Sequence, residues 1–531
     1  MRYLILLLVF STCLNLSCSS TQHNTSNNRP VVSNQVSTHQ AITPILIGKE
    51  ANPVLRVEVD GNSDKVVNSI TISTEGTTQL TDIDEIHLFY TGSDSVFNVE
   101  TKLHQTTKAT QKVSLPADQK LQQGANYFWI SYKVDPKADL LNRVDASLEA
   151  VTMNDGSSLA PANRPLDKGL KLGIALRQQG EEGVHTYRIP GMVTTNSGTL
   201  IAAYDIRYDN PSDLQGDIDV GISRSTDKGE SWEPMQIIMD MEEWGGRPED
   251  ENGIGDPSIL VDKNTGTIWV AALWTHGMPG QRAWNASGTG VTPEETGQFV
   301  LVKSEDDGKT WSEPINITKQ IKKPEWQLLL QGPGRGITMS GGTLVFPAQF
   351  KDANGMPYST IVYSKDHGKT WDIGTGAKAN TTEAQVVELS DGSLMLNMRD
   401  NRGGSRSIYT TEDLGQTWTK HPTSRSALKE PVCMASLIHF PYREGETGKH
   451  CLLFSNPNSR EARENMTIKM STDDGMSWPK ENQILLNENS GYGYSCMTPI
   501  DEQTVGILYE GVRELYFQKV KISELLDGQS R

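Results

Sequence analysis

The feature that most constrains the fold is the pattern Ser/Thr-x-Asp-x-Gly-x-x-Trp, which recurs five times after residue 170. An aspartate can accept hydrogen bonds from the amides that follow it, and a glycine two positions later can adopt positive φ. Each copy therefore predicts a tight turn, after which the tryptophan opens the next strand. The copies are STDKGESW (225–232), SEDDGKTW (304–311), SKDHGKTW (364–371), TEDLGQTW (411–418) and STDDGMSW (471–478).

A second repeated element in the same region is a glycine-containing turn followed by an apolar run. It begins at residue 197 (SGTLIAAY), 265 (TGTIWVAA), 341 (GGTLVFPA) and 391 (DGSLMLNM). Regular strands around repeated turns are typical of a β-propeller, whose blades are four-stranded sheets packed around an axis. We therefore expect residues 166–531 to form an all-β, six-bladed β-propeller, with five blades carrying the aspartate turn, or Asp box.

The sequence of residues 45–165 also predicts β-strands. Runs such as LRVEVD (55–60) alternate apolar and polar residues and are separated by turn residues. We expect a small β-sandwich here, an accessory module that is a candidate for carbohydrate binding. The breaker-rich segment PANRPLDKG (161–169) is the expected boundary.

The N-terminus has the form of an export signal. Arg2 precedes the apolar run LILLLVF (4–10), which is too short to span a bilayer, so residues 1–18 are interpreted as a signal peptide. At Cys18 two outcomes stay open, simple cleavage or lipid attachment of the bacterial lipoprotein type. Residues 19–44 have the composition of a flexible tether. The expected location is the periplasm, the outer membrane surface or the medium.

Charge and cysteine content narrow the class of protein further. The net charge of −17 argues against nucleic acid or an anionic membrane surface as the main partner. Cys433, Cys451 and Cys496 are widely spaced and form neither a disulfide framework nor a metal-binding pattern. The Asp boxes lack the dense run of oxygen ligands of a calcium loop. We expect a monomer that needs no cofactor and no metal.

Several polar residues lie at strand ends rather than in turns, where they are candidates for chemistry. They occur in TYRIP, in DIRYDNPSDLQGDIDV, in TTEAQVVEL with its return LMLNMRD, in SREARENMTIKM and in GYGYSC (491–496). Two choices remain open from the residues alone. Glu388 competes with Glu383, since five residues of separation place them on opposite faces of a strand, and Arg460 competes with Arg463.

With these residues in this order, the chain resembles bacterial exo-α-sialidases (neuraminidases) with repeated Asp boxes, over about residues 180–515. The Arg-Ile-Pro motif at 188–190 carries the resemblance together with the five boxes and the order of the arginines; Tyr187 stands where the family usually has Phe. The resemblance implies three arginines that clamp the substrate carboxylate, here Arg188, Arg399 and Arg463. It also implies these roles: Asp213 as acid/base with Arg207 as a second pocket arginine, Asp256 as a sugar-binding residue, Tyr494 as nucleophile, Glu383 as the glutamate beside it, and Glu510 as the residue that steadies Arg188.

The chemistry of a sialic acid is consistent with this set. Its carboxylate is attached to the carbon that must be attacked, and the planar fork of arginine is the best partner for a carboxylate. A carboxylate nucleophile would meet that negative charge at short range, whereas a neutral tyrosine avoids the repulsion if a base removes its proton. Glycosidases generally attack with Asp or Glu, and sialidases are a known exception that uses tyrosine.

Two loops are expected at the rim of the pocket. The long segment HGMPGQRAWNASGTG (276–290) is a candidate for setting specificity. The glycine-rich segment QGPGRGIT (331–338) is interpreted as a rim loop, with Gln331 or Arg335 near the glycerol chain of the sugar.

The leading hypothesis is an enzyme that hydrolyses terminal α-linked sialic acids from glycans. A trans-sialidase or an anhydro-forming sialidase would share the same catalytic residues. A non-catalytic Asp-box propeller that binds glycans would need the arginine clamp but not Asp213, Glu383 and Tyr494.

Overall fold

The computed structural model describes residues 35–163, 169–444 and 447–526. The expected signal peptide and Cys18 lie outside these residues. Before residue 160 the described chain forms eleven strands: β1 (Val36–His39), β2 (Ile45–Leu46), β3 (Asn52–Gly61), β4 (Val66–Ser73), β5 (Ile83–Gly92), β6 (Lys102–Thr106), β7 (Lys112–Lys120), β8 (Gly124–Val134), β9 (Arg143–Val144), β10 (Ser147–Met153) and β11 (Ser158–Leu159).

These N-terminal strands form two antiparallel sheets. One has the order β1-β3-β8-β5-β6 and the other β11-β10-β4-β7. The alternation seen in the sequence is the cause: in β3, Val57 and Val59 are fully buried, whereas the alternating residues Arg56 and Glu58 are half-buried. The buried side chains of both sheets belong to one apolar cluster.

The rest of the described chain adds twenty-seven strands: β12 (Leu170–Gln178), β13 (Thr186–Thr194), β14 (Leu200–Arg207), β15 (Ile218–Ser225), β16 (Gln236–Met239), β17 (Ile254–Val261), β18 (Ile268–Trp274), β19 (Gln298–Ser304), β20 (Ile315–Asn316), β21 (Leu328–Gln331), β22 (Gly334–Arg335), β23 (Ile337–Thr338), β24 (Leu344–Lys351), β25 (Pro357–Ser364), β26 (Asp372–Ile373), β27 (Lys378–Ala379), β28 (Thr381–Glu388), β29 (Leu394–Asp400), β30 (Ser407–Thr411), β31 (Thr419–Lys420), β32 (Ser436–Glu444), β33 (Thr447–Pro457), β34 (Met466–Ser471), β35 (Gln483–Asn487), β36 (Ser495–Asp501), β37 (Thr504–Glu510) and β38 (Glu514–Lys521).

Helices are short and few in the described chain. The α-helices are α1 (Ala283–Ala286), α2 (Thr318–Ile321) and α3 (Ile522–Leu526), and single 3₁₀ turns lie at Leu80–Asp82, Glu181–Gly183, Glu249–Glu251 and Lys480–Asn482. Among the helices of the described ranges, none has the length and apolar character needed to cross a membrane. The chain is therefore all-β, as expected from its patterning.

The strands after β12 are arranged in six successive sheets. Sheet 1 is β13-β14-β15-β16, sheet 2 is β20-β19-β18-β17-β22, and sheet 3 contains β21 and β23–β27. Sheet 4 is β28-β29-β30-β31, sheet 5 is β32-β33-β34-β35, and sheet 6 joins β36, β37 and β38 to β12. The first strands contact one another: β13 lies against β17 and β36, and β32 lies against β28 and β36.

The N-terminal sheets are joined to sheet 6 rather than separated from it. Strand β12 pairs with β38, and it also pairs with the short strands β2 and β9. Within the span expected to be a tether, Val36–His39 forms a strand that pairs with β3. The alternating burial of Val36 and Thr38 explains why this polar segment still adds a strand to the sheet edge.

The five Asp boxes are turns, as the sequence predicted. In the first box, Asp227 accepts hydrogen bonds from the Ser231 amide at 2.9 Å and from the Ser225 hydroxyl at 2.8 Å, and the Gly229 amide donates to Ser225 Oγ at 2.8 Å. The same contacts recur in the other four boxes. Each box joins the third and fourth strands of one of sheets 1 to 5.

The glycine of each box packs against the preceding sheet. A Cβ built on Gly368 would lie 2.3 Å from the Trp269 ring of sheet 2, and one on Gly308 would lie 2.5 Å from Ile201 of sheet 1. A Cβ on Gly229 would lie 2.4 Å from Phe517 of sheet 6, so the contact also links the last sheet to the first. The boxes therefore hold neighbouring sheets together as well as turning the chain.

This packing predicts that Gly368→Ala destabilises the protein by about 2–4 kcal/mol. The substitution combines a positive φ of 83° with the clash on Trp269. Gly392 is a matched control, because its φ is also 83° but a Cβ there would meet nothing within 4 Å. Gly392→Ala should cost only about 1–2 kcal/mol, the part due to φ. Equal losses of melting temperature in the two variants would contradict the packing role.

Candidate active site

A pocket of about 500 Å³ opens near the beginnings of the first strands. Most of the residues singled out in the sequence line it, together with others considered below. The predicted site residues in its wall are Arg188, Asp213, Asp256, Glu383, Arg399, Arg463 and Tyr494. Residues separated by up to three hundred positions in the chain are thus brought into one cavity.

Irregular strand pairing positions three of these side chains. The pairing of β13 shifts between Arg188 and Gly191, that of β17 between Gly255 and Ser258, and that of β28 between Thr381 and Ala384. Arg188, Asp256 and Glu383 lie at these shifts. A β-bulge re-aims a side chain that regular alternation would send elsewhere. Simple alternation along these strands could therefore not have identified which faces reach the pocket.

Glu510 organises the floor of the pocket from behind. Its carboxylate accepts hydrogen bonds from Arg188 Nε at 3.0 Å and from the Ile189 amide at 2.8 Å. Its second oxygen accepts from the Tyr494 amide at 2.9 Å. Glu510 is buried and does not line the cavity. It thus holds the arginine and the tyrosine in place, the steadying role that the resemblance implied for Arg188.

Tyr494 lies between a carboxylate and the arginines. Its hydroxyl donates a hydrogen bond to Glu383 Oε1 and accepts one from Arg399 Nη1 at 3.1 Å. Arg399 Nη1 also pairs with Glu383 Oε2 at 2.5 Å. Burial, followed by the charge of Glu383, raises the pKa of Tyr494 well above its usual value. The phenol is therefore neutral at rest and already hydrogen-bonded to the Glu383 carboxylate.

The third arginine is held by main-chain carbonyls. Arg463 Nη1 donates to the Tyr492 carbonyl at 2.9 Å, and Nη2 donates to the Val432 carbonyl at 3.2 Å. Arg460, its competitor in the sequence, instead bonds the carbonyl of Gly404 and is not among the residues that line the pocket. Of the two, Arg463 is the one in the cavity.

The GYGYSC segment is not a regular strand, because β36 begins only at Ser495. The Tyr492 ring covers the Arg188 guanidinium, with 4.2 Å between Cζ and the ring centroid. A Cβ on Gly493 would lie 2.9 Å from Pro457 and 3.2 Å from Arg463. This glycine therefore makes room for neighbouring protein groups.

Arg207 is placed differently from a pocket arginine. Its side chain is 1% exposed and lies behind the wall, where Nη2 pairs with Asp205 at 2.8 Å and Nη1 with Asp213 at 3.0 Å. Asp205 also accepts a hydrogen bond from the Asp256 amide at 2.8 Å. Asp256 has a positive φ of 59°. Asp205, two residues before Arg207, was not predicted as a site residue, because its role arises only from its contacts with Arg207 and the Asp256 amide in the folded chain.

The carboxyls on this side of the pocket have different proton affinities. Asp213 is about half exposed, and although burial opposes the change, Arg207 and Arg188 lower its pKa. Burial and the nearby Asp205 and Asp213 raise the pKa of Asp256 well above its usual value. A pair of carboxyls with opposite shifts is common where one must gain or lose a proton.

The loop predicted to shape specificity does reach the cavity. Arg282, Trp284 and Asn285, in and beside α1, form part of the wall. The remaining lining residues were not singled out in the sequence: Leu214, Leu273, Ala283, Leu328, Leu330, Gln349, Thr382 and Asn401. Gln349 could have been predicted as a site candidate, because it is a polar residue that interrupts the otherwise apolar run VFPAQF.

The glycine-rich segment 331–338 differs from expectation at one residue. Gln331 donates to the Asp256 carbonyl at 2.5 Å and so supports the pocket from behind. Arg335 instead lines a cavity at the other end of the first strands, so the expectation that it lies near the sugar is wrong. Glu388 lies at that end too, where it accepts hydrogen bonds from Ser340 at 2.7 and 2.6 Å. Of the two competing glutamates, Glu383 is in the pocket.

An acidic cluster not foreseen in the sequence lies outside the pocket lining. Oxygen atoms of Asp219, Asp240 and Glu249 lie within 4.8 Å of one another. Burial, followed by Asp240, raises the pKa of Asp219 to about 8. The cluster therefore holds a proton near neutral pH, which reduces the repulsion between the carboxylates.

Comparison with known families agrees with this geometry. Residues 198–507 match the BNR repeat-like domain, and residues 33–157 match the N-terminal domain of BNR-repeat neuraminidase. The first match contains the five Asp boxes, and the second contains the two N-terminal sheets up to β10.

Two relatives and one solved structure match between 68% and 92% of this chain. The chain is 45% identical to a sialidase of Bacteroides fragilis over 510 residues, which covers 91% of this chain and 94% of the relative. It is 32% identical to a sialidase of Micromonospora viridifaciens, over 68% of this chain and 55% of that protein. The solved structure of the Hadza microbial sialidase Hz136 superposes with a TM-score of 0.86 at 46% identity, covering 92% of this chain and 99% of that chain. The chain therefore belongs to the BNR-repeat sialidase (neuraminidase) family.

Proposed function

We propose that this protein is an exo-α-sialidase that hydrolyses terminal α-ketosidically linked sialic acids from glycoproteins, glycolipids and oligosaccharides. The reaction retains configuration through a covalent intermediate on Tyr494. The observation that carries the proposal is the contact of the Tyr494 hydroxyl with Glu383 and Arg399 inside a pocket that also contains Arg188 and Arg463. A receptor would need the clamp but not a phenol paired with a base.

The three arginines form the carboxylate clamp. Arg399 bonds the Tyr494 hydroxyl, and the Cζ atoms of Arg188 and Arg463 lie 5.6 and 5.7 Å from the Tyr494 ring centre. A carboxylate bound among them places the anomeric carbon, to which it is attached, beside the phenol. Bidentate bonds to a planar guanidinium then fix the orientation of the sugar.

Glycosylation of the enzyme follows from these contacts. Glu383 removes the phenolic proton as Tyr494 Oη forms a bond to the anomeric carbon, and the bond from that carbon to the leaving oxygen breaks. Asp213 donates its proton to the leaving oxygen. In the second half, Asp213 takes a proton from water, the water oxygen bonds to the anomeric carbon, and Tyr494 leaves and regains its proton from Glu383.

We also propose that sheets 1 to 6 are the blades of a six-bladed β-propeller. Five Asp boxes at equivalent turns and the contacts among first strands support this architecture. Pairing of β12 with β38 joins a strand from before the repeats to the final blade. The two N-terminal sheets are proposed to be a β-sandwich, with glycan binding as its candidate role.

The site is proposed to work outside the cytoplasm, on sialylated glycans that meet the protein there. Residues 1–18 have the composition of an export signal, and a lipid on Cys18 would attach the protein to a membrane. The binding and release of substrate need neither metal nor cofactor in this mechanism, and a monomer contains all the residues named.

Replacing the nucleophile tests the central step. Tyr494→Phe should lower kcat/KM by at least ~10³-fold, because the attacking oxygen is lost while the arginine clamp remains. Binding of a flattened, dehydrated sialic acid analogue should change far less. Tyr492→Phe is the control, because that ring stacks on Arg188 and its hydroxyl makes no hydrogen bond to a described residue. A larger loss in the control would assign the nucleophile to Tyr492.

The acid role is tested through the leaving group. Asp213→Asn should lower kcat/KM for sialyllactose by about 10²- to 10⁴-fold, because an alkoxide leaves poorly without a proton. An aryl sialoside should lose much less, since its leaving group is already stable as an anion. Asp209→Asn, an exposed neighbour in the same loop, should leave both substrates unaffected. Equal losses on both substrates would contradict the acid role.

The pKa of Asp213 predicts a shift between two pH profiles. In the empty pocket, Arg207 and Arg188 lower this pKa against the effect of burial. A substrate carboxylate on Arg188 cancels part of that positive charge, so the pKa rises in the complex. The acid must be protonated, so activity falls as pH rises through its pKa. With sialyllactose, the alkaline limb of kcat should therefore lie at higher pH than that of kcat/KM, and coincident limbs would contradict this account.

The identity of the product separates hydrolysis from its relatives. Free sialic acid is the expected product, by hydrolysis in the second half of the reaction. Transfer to added lactose or formation of an anhydro sugar as the main product would instead indicate a trans-sialidase or an anhydro-forming enzyme. Mass spectrometry of the released sugar distinguishes these outcomes, and substrates with α2,3, α2,6 and α2,8 linkages define the linkage preference.

A further inference from the structure

A second cavity, of about 650 Å³, lies at the opposite end of the first strands from the active-site pocket. We call it the channel-end cavity. The pocket is lined near the beginnings of β13, β17 and β28, whereas the channel-end cavity is lined at their ends, by Thr194, Val261 and Glu388. All six sheets contribute to its wall. It is therefore a separate site on the same framework.

Arg335 is the unusual residue of this cavity. Its Nη1 donates to the Met497 carbonyl at 3.2 Å and to Thr498 Oγ1 at 3.3 Å, and both acceptors are neutral. Its Nε is buried without a hydrogen-bond partner. Within the described ranges, no carboxylate forms an ion pair with Arg335, and Nη2 bonds no protein group. This contrasts with Arg188, Arg207 and Arg399, each of which is paired with a carboxylate.

Lys263 adds a second positive charge to the same wall. No ion pair of this side chain is found among the described residues, and its pKa is lowered by burial and then by Arg335. The carboxylates in the wall are occupied elsewhere: Glu388 accepts from Ser340, and Asp391 accepts from Ser393 at 2.9 and 2.6 Å. Two cations thus face one cavity in a chain whose net charge is −17.

Arg335 is half-buried, and its enclosed Nε–H lacks an acceptor, which is a costly arrangement for a charged group. An oxyanion is the partner that fits, because it supplies charge and two or more acceptor atoms to the planar fork. The Thr498 hydroxyl, already beside Arg335, offers a neutral contact as well.

We propose that the channel-end cavity binds a small oxyanion through Arg335 and Lys263. Phosphate and the carboxylate of an acidic monosaccharide share this chemistry, and the cavity has room for either. This site is distinct from the carboxylate clamp, and the inference does not depend on the catalytic mechanism. By neutralising Arg335, the anion would also stabilise β36, the strand that follows Tyr494.

The experiment uses the full-length chain, with melting temperature and calorimetry as readouts. Inorganic phosphate at about 10 mM should raise the melting temperature saturably, by about 2 °C or more, relative to chloride at equal ionic strength. Arg335→Gln and Lys263→Gln should each weaken phosphate binding about tenfold or more. Lys309→Gln, on an exposed box turn, should bind phosphate as the unsubstituted protein does.

The source of the anion is distinguished in an Arg188→Gln background, where the active-site clamp is impaired. Binding of phosphate alone in that background would identify an inorganic anion site, and binding of N-acetylneuraminate that also requires Arg335 would identify an acidic-sugar site. Phosphate binding that is lost in Arg188→Gln but kept in Arg335→Gln would place the anion in the active-site pocket and overturn the proposal. Equal shifts with phosphate and chloride would also overturn it. If Arg335→Gln does not fold, Lys263→Gln supplies the decisive variant.

Discussion

The arrangement of the site depends on one buried carboxylate, Glu510. Donors from three residues converge on it: the Arg188 guanidinium, the Ile189 amide and the Tyr494 amide. Burying a charge is unfavourable unless several donors replace water, and here the donors are the Arg188 guanidinium and the backbone amides of Ile189 and Tyr494, the proposed nucleophile. The same contact joins the start of β13 to the segment before β36. The first arginine and the tyrosine are thus fixed relative to each other before any substrate arrives.

The packed sheets make the framework rigid, and the irregularities in strand pairing set the direction in which the site side chains point. Repeated boxes hold each sheet against its neighbour, so the beginnings of the first strands form a stable rim. At that rim, bulges turn Arg188, Asp256 and Glu383 toward the cavity. Mutual repulsion among three arginines is offset by Glu510 and Glu383 behind and beside them. These two carboxylates offset only part of the positive charge of the three arginines, so the site still attracts an incoming anion.

Much of this could be predicted from the sequence, for reasons that differ between residues. The boxes could be predicted because the conformation of a turn is set by the residues within it. The strands could be predicted because burial of one face imposes an alternation of apolar and polar residues. Asp205 was missed, because its role arises from pairing with Arg207 and with the Asp256 amide across two sheets. Arg335, one of two alternatives for a place near the glycerol chain, lines the cavity at the opposite end, since position within a glycine-rich loop does not show which end of the strands a side chain faces. The contacts of Arg207 with Asp205 and Asp213 likewise depend on the burial of β14 in the folded protein.

The sequence by itself determined the all-β class, the repeated turns and the N-terminal strands, and through resemblance to sialidases it predicted a set of residues for the chemistry. Those properties follow from local propensity and motif. Only the tertiary structure decided between Glu383 and Glu388, because the bulge in β28 breaks the alternation on which a parity argument rests. The choice between Arg463 and Arg460 was likewise decided by the fold, since both lie in the loop between β33 and β34, where no strand pattern applies. The tertiary structure also decided that Gly493 makes room for Arg463 and Pro457. Distances between residues far apart in the chain are set by how the sheets pack, and no local pattern encodes them.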